Sequence, residues 1–182
     1  MRQFLALVLS TGLVVPAAAD DFTDALGTAL DAYEAGDIQQ ARDELGFAMQ
    51  ILNEMSAASF SALLPAPLPG WTREMGDSAS GMAAAMFGGG TMAHADYASG
   101  SDSFSIMLIA DSPMIASMGA MFANPALMQG RPLRIGRERF VEKDGQIMGL
   151  IANRVLVQAE GGDRGAMIAH LEAMDFAALA GF

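Results

Sequence analysis

Apolar positions recur at three- and four-residue steps from Phe22 through Ala25, Leu26, Ala29 and Leu30 to Tyr33. That spacing is one face of an α-helix. Gly36 ends the run, because glycine takes the left-handed conformation of a helix C-terminus at no steric cost. Asp37 can cap a second helix, with Gln40 three residues on as the reciprocal partner of a capping box. Ile38, Ala41, Leu45, Ala48, Met49, Leu52 and Met55 carry its apolar stripe. The pattern predicts two antiparallel helices joined by a tight Gly-Asp turn, over residues 20–60. Prolines at 65, 67 and 69 forbid further helix and give a stiff connector over 61–70.

Beyond the prolines the period drops to two. Residues 91–98 and 103–110 read as strands around the turn Ser99-Gly100-Ser101-Asp102. Ser112 and Pro113 suit the N-cap and first position of a helix carrying Met114, Ile115, Met118, Met121 and Phe122, which the Asn124-Pro125 step should end. Turn signals at Gly136-Arg137, Asp144-Gly145 and Asn153-Arg154 then separate four short strands at 133–135, 139–143, 146–152 and 155–160. Asp163 can cap a last helix with Met167, Ile168, Leu171 and Met174 inward and His170 half-exposed at the stripe's edge. A terminal turn runs through Leu179. The order ββ-α-ββββ-α describes an α+β domain over 71–182, helices packed on an antiparallel meander sheet.

The hairpin, through Ala29-Leu30, Tyr33, Gly36-Asp37, Ala41, Leu45 and Ala48, resembles a single tetratricopeptide repeat, a unit used in protein–protein contacts. One such unit cannot bury its face alone. It is therefore expected to pack on the rest of the chain or to form a homodimer. The element order of the last 110 or so residues is similar to PsbP-like α-β-α domains. The stretch 64–71, the run Asn153-Arg154-Val155-Leu156-Val157 and the Asp175-Phe176 ending resemble a family of small exported proteobacterial proteins. That resemblance implies export and carries no activity or functional residue.

Export is also expected from residues 1–19: Arg2, an apolar run from 4 to 15, then Pro16-Ala17-Ala18-Ala19. This is the layout of a secretory signal, with cleavage expected between Ala19 and Asp20 and a periplasmic destination. The run is too short for a permanent membrane span, and no later segment approaches one. The chain of 182 residues has 21 Asp+Glu against 10 Lys+Arg and no cysteine. Its acidity argues against nucleic acid as a partner. The missing thiols remove disulfides, thiol nucleophiles, Fe–S clusters and Cys-based zinc sites.

Fifteen methionines stand out. Pairing Ala98 with Ser103 sets His94 opposite Met107, with Met92 on the same face and Met82 or Met86 in reach. Met92, His94 and Met107 could ligate Cu(I), which favours thioethers and imidazole. Flexible core filling is the plainer use of methionine. His94 and Asp96 share a strand face and could approach Ser103 or Ser105, but no Gly-X-Ser-X-Gly elbow accompanies them. Gly88-Gly89-Gly90 lacks the Lys-Ser/Thr of a phosphate loop; a mobile segment over 76–90 fits it better. Arg131, Arg134, Arg137, Arg139 and Lys143 are five of the ten basic residues within one short stretch. They either dock an acidic partner, a lipid head group or the cell wall, or they protect exposed strand edges and neutralise nearby acids. The expectation is a non-enzymatic periplasmic protein, without cofactor, that engages an envelope protein or a small apolar ligand. A Cu(I)-binding accessory protein is the alternative.

Overall fold

The computed structural model describes residues 17–76, 90–123 and 129–182. Most of the signal-like segment, Met82, Met86, the greater part of the glycine-rich stretch and the Asn124-Pro125 step lie outside the described residues. The chain divides into two compact units, the first ending at Leu52 and the second running from Asn53 to Phe182.

The first unit is a helical hairpin of α1 (Ala17–Glu34) and the larger part of α2 (Ile38–Ser61). Gly36 has φ +82°, the left-handed value its position demands. Asp37 caps α2 by accepting the Gln40 backbone N–H at 3.0 Å. Small residues occupy the seam: Ala25, Ala29, Ala32, Ala41 and Ala48 are buried, with Ile51 beside them. No described helix is long and apolar enough to cross a membrane.

The second unit is α+β, as the patterning predicted. Its strands are β1 (Thr72–Met75), β2 (Thr91–Ser99), β3 (Asp102–Ala110), β4 (Arg131–Ile135), β5 (Glu138–Lys143), β6 (Gln146–Ile151) and β7 (Val155–Glu160). Among the described residues three helices accompany them, beside the end of α2: α3 (Pro113–Ala123), α4 (Arg164–Glu172) and α5 (Phe176–Gly181). All seven strands form one antiparallel sheet in the order β1-β2-β3-β7-β6-β5-β4. The connection through α3 carries the chain to the far edge, and the meander then returns until β7 pairs with β3.

Strand β1 is absent from the sequence reading. Its four residues, Thr-Arg-Glu-Met, are all exposed, so they carry no period-two apolar signal. Charged side chains are what an edge strand uses against unwanted pairing. The opposite edge, β4, contains Pro132, tolerated there because an edge strand has an unpaired side. The two-residue turn Asp144-Gly145 has φ +52° and +80°, the type I′ geometry that an Asp-Gly pair favours. The turn after β6 has its positive φ values at Ala152 and Asn153, one residue earlier than the sequence suggests.

Two apolar layers flank the sheet. On one face Ala93, Ala95, Tyr97, Phe104, Ile106 and Leu108 pack under α4, α5 and the end of α2, which contributes Phe60. On the other, Met92, Ile109, Val141 and Leu156 pack under α3 through Ile115 and Phe122. Asp163 and Asp175 cap α4 and α5, accepting from the Ala166 and Ala178 backbone N–H groups.

His170 is fully buried, which corrects the half-exposed position expected for it. The helix stripe gives one edge of α4, but the proline-rich segment folds over that edge. The Leu68 N–H donates to His170 Nε2 at 3.2 Å, so the ring proton resides on Nδ1, 2.9 Å from the Ala166 carbonyl. Trp71, Tyr97 and Phe104 surround the imidazole at centroid distances of 4.9–5.2 Å. The same segment is held by Tyr97, whose hydroxyl donates to the Pro65 carbonyl at 2.7 Å, and by Arg73, which donates to the Leu64 and Pro65 carbonyls.

Burial pushes the Tyr97 hydroxyl up to about 12, although the Arg73 guanidinium acts in the other direction. The folded state therefore holds this proton more tightly than the unfolded chain does. The contribution is fully present below about pH 10 and is lost as pH rises toward 12. Absorbance titration of a Tyr33→Phe variant, which leaves Tyr97 as its one tyrosine, should show the phenolate forming only near pH 12, with unfolding. An ordinary, fully reversible titration near pH 10 would contradict the buried bond to Pro65.

Candidate functional site

Strand alternation sends Met92, His94 and Asp96 to the α3 face of the sheet. The β2–β3 register pairs His94 with Met107, as the loop geometry predicts. From Met107 the row continues across the sheet through Gln158, Met148, Val141 and Pro132. Met92 is buried in the apolar cluster under α3, and Met107 packs against the same cluster. Both thioethers thus have packing roles.

The His94 ring lies against Gly76, where any Cβ would overlap Nδ1. Its Nε2 is 3.6 Å from Asp96 Oδ1. Ser105 stands opposite Asp96, not opposite His94. A serine, a base and an orienting acid are therefore neighbours here, but not in the order that nucleophile activation requires.

The neighbouring row runs Glu74, Asp96, Ser105, Glu160 across β1, β2, β3 and β7. Glu160 is held by the amides of Gln146 at 2.6 Å and Gln158 at 3.0 Å. Beyond it an open, polar cleft of about 530 Å³ is lined by Asp96, Ser103, Ser105, Asp144, Gln146 and Glu160, among others. Among the described residues no group of three or more His, Asp or Glu side chains is placed to hold a metal ion. Glu160, Gln146 and Gln158 were not singled out from the sequence. Their signal was there: Gln158 and Glu160 are the polar alternates of an otherwise apolar strand.

The basic residues collect at the other side of the sheet, on β4 and β5. Arg131 pairs in register with Glu142, and Arg134 with Arg139, while Arg137 sits in the turn between them. Arg134, Arg139 and Lys143 alternate with Val141 or Pro132 on the α3 face. The four arginines are exposed, and Lys143 is half-buried. This face is thus acidic toward β1 and β2 and basic toward β4 and β5.

No family model, curated protein or solved structure matches this chain.

Two ion pairs brace the sheet: one joins the turns after β3 and β6, the other joins the start of α4 to β5 on the face opposite α3. Arg154 donates through Nε and Nη2 to both oxygens of Asp111, at 2.6 and 3.1 Å. Arg164 holds Glu142 in the same two-pronged way, at 2.7 and 3.0 Å. Each guanidinium pulls its carboxyl below the ordinary carboxylate range, with Arg131 adding to the effect on Glu142. Three of the four side chains are exposed and Glu142 is half-buried, so solvent screens both pairs and their contribution to stability is small.

Proposed function

We propose that the protein is a non-enzymatic accessory protein of the bacterial envelope that engages a protein partner through its helical hairpin. The supporting observation is the placement of large apolar side chains. Leu30, Tyr33, Phe47 and Met49 are each more than half exposed, and Leu26, Ile38, Leu45 and Leu52 are also exposed. Leu26, Leu30 and Tyr33 share one stripe of α1; Ile38, Leu45, Met49 and Leu52 share one stripe of α2. Because the helices run antiparallel, both stripes flank the alanine seam on the same side. Contiguous exposed apolar surface of this kind marks an interaction site.

Charge narrows the partner. Between residues 21 and 52 the hairpin has seven carboxylates and a single cation, Arg42. A basic partner with an apolar face complements this better than a second copy of the hairpin does. Native mass spectrometry of protein isolated from the envelope without chelator tests the reading. A complex with another polypeptide is expected, lost in a Leu30→Asn/Tyr33→Asn/Met49→Asn variant whose circular dichroism is unchanged. A mass of two copies would assign the face to self-association. An unaccompanied monomer in both forms would overturn it.

The His94–Met107 register favours one second reading, a Cu(I)-binding accessory protein using Met92, His94 and Met107. Its mark in the same spectrum is an added copper mass that disappears in a His94→Ala/Met107→Leu variant. A retained organic mass would point instead to a small apolar ligand.

A further inference from the structure

The pairing of Arg134 with Arg139 breaks a local rule. Like charges directly opposite each other on antiparallel strands repel. Arg137 adds a third guanidinium in the adjoining turn. Among the described residues none of the three is ion-paired. Edge protection calls for charge, but one cation per strand would supply it, and the rest of the protein has acids in excess.

Beside these arginines lies a notch of about 260 Å³ between α3 and the β5–β6 part of the sheet. Arg137 and Arg139 line it together with Phe122, Leu150, Asn153 and Glu138. Glu138 lines the notch too, so one carboxylate stands beside the two guanidiniums and the balance remains one positive charge. Gly119 brings α3 close to the end of β6: a Cβ there would meet Asn153 Oδ1 at 3.4 Å. The notch thus offers two guanidinium forks, one carboxylate and one amide at its rim, with an aromatic and an aliphatic side chain in its wall.

The geometry points to a binding site for a small organic anion, a carboxylate with an apolar body, held by Arg137 and Arg139 against Phe122 and Leu150. Guanidinium forks match the two oxygens of a carboxylate, and the paired bonds are the strong, charge-assisted kind. Phe122 and Leu150 favour a carboxylate with a short apolar body over a bare inorganic anion. The volume falls just below the range of about 300–1,000 Å³ typical of drug-sized ligands, so the fit is to a shorter molecule. An anion there also relieves the Arg134–Arg139 repulsion. This site is separate from the hairpin and does not depend on its partner.

Calorimetric titration of the full chain with sodium octanoate tests the site, with octanol and sodium sulfate as comparisons. Saturable octanoate binding is expected, at least about tenfold tighter than either comparison ligand. An Arg137→Gln/Arg139→Gln variant should weaken octanoate binding by about tenfold or more. An Arg137→Lys/Arg139→Lys variant keeps the edge charge, and with it the fold, but loses the planar forks; it should bind several-fold more weakly than the parent. Absence of saturable octanoate binding, equal binding of sulfate or octanol, or full retention in the lysine variant would each overturn the assignment.

Discussion

Replacing His170 with alanine should destabilise the second unit by about 3 kcal/mol or more. The side chain is fully buried among Trp71, Tyr97 and Phe104, so truncation opens a cavity that three rigid rings cannot collapse into. It also removes the acceptor of the Leu68 N–H. Of the side-chain bonds to the proline-rich segment, those from Tyr97 and Arg73 would remain. A His170→Phe variant separates the two effects: its slightly larger ring leaves no cavity, but the Leu68 donor stays unpaired, at about 1–3 kcal/mol. Urea denaturation followed by fluorescence reads both, since Trp71 is the only tryptophan and lies 5.2 Å from the imidazole. Equal stability of the phenylalanine variant and the parent would show that the bond to Leu68 contributes nothing.

Gly149→Ala should cost about 1–3 kcal/mol, against the usual preference of a strand for alanine over glycine. Phe140 is the register partner of Gly149, and its ring lies across the bare backbone. An added Cβ would stand 2.5–2.8 Å from three carbons of that ring. The ring has nowhere to move: Phe140 is 1% exposed and packs on Phe176 of α5 at 5.8 Å. The clash therefore outweighs the gain in backbone entropy. Combining Gly149→Ala with Phe140→Leu should recover part of the loss, a coupling that a double-mutant cycle measures. Additive effects of the two changes, or a stabilised Gly149→Ala protein, would rule this contact out.

The elements readable in the sequence are those whose signals are local. The helical stripes of α1 and α2, Gly36, the Asp37 and Asp163 caps, the Asp144-Gly145 turn and the period of β2 and β3 each lie within a few residues. The His94–Met107 pairing belongs with them, because a two-residue turn at Gly100-Ser101 dictates the register on either side. The basic stretch on β4 and β5 could be read as a stretch, but not as a face.

What needed the tertiary structure is what distance along the chain conceals. β1 lacks any apolar alternation because only its pairing with β2 makes it a strand. His170 meets Leu68 across 102 residues, so its burial is invisible from its own helix. The row of Glu74, Asp96, Ser105 and Glu160 exists only because β3 pairs with β7 rather than with β4. Likewise the notch at Arg137 and Arg139 requires α3 to return over the meander. The sequence by itself determined the helical hairpin, the α+β class and the local turns, since backbone propensity and side-chain period act over a few residues. Only the packed sheet decided which polar groups share a face, because strand order is settled by burial between segments far apart in the chain.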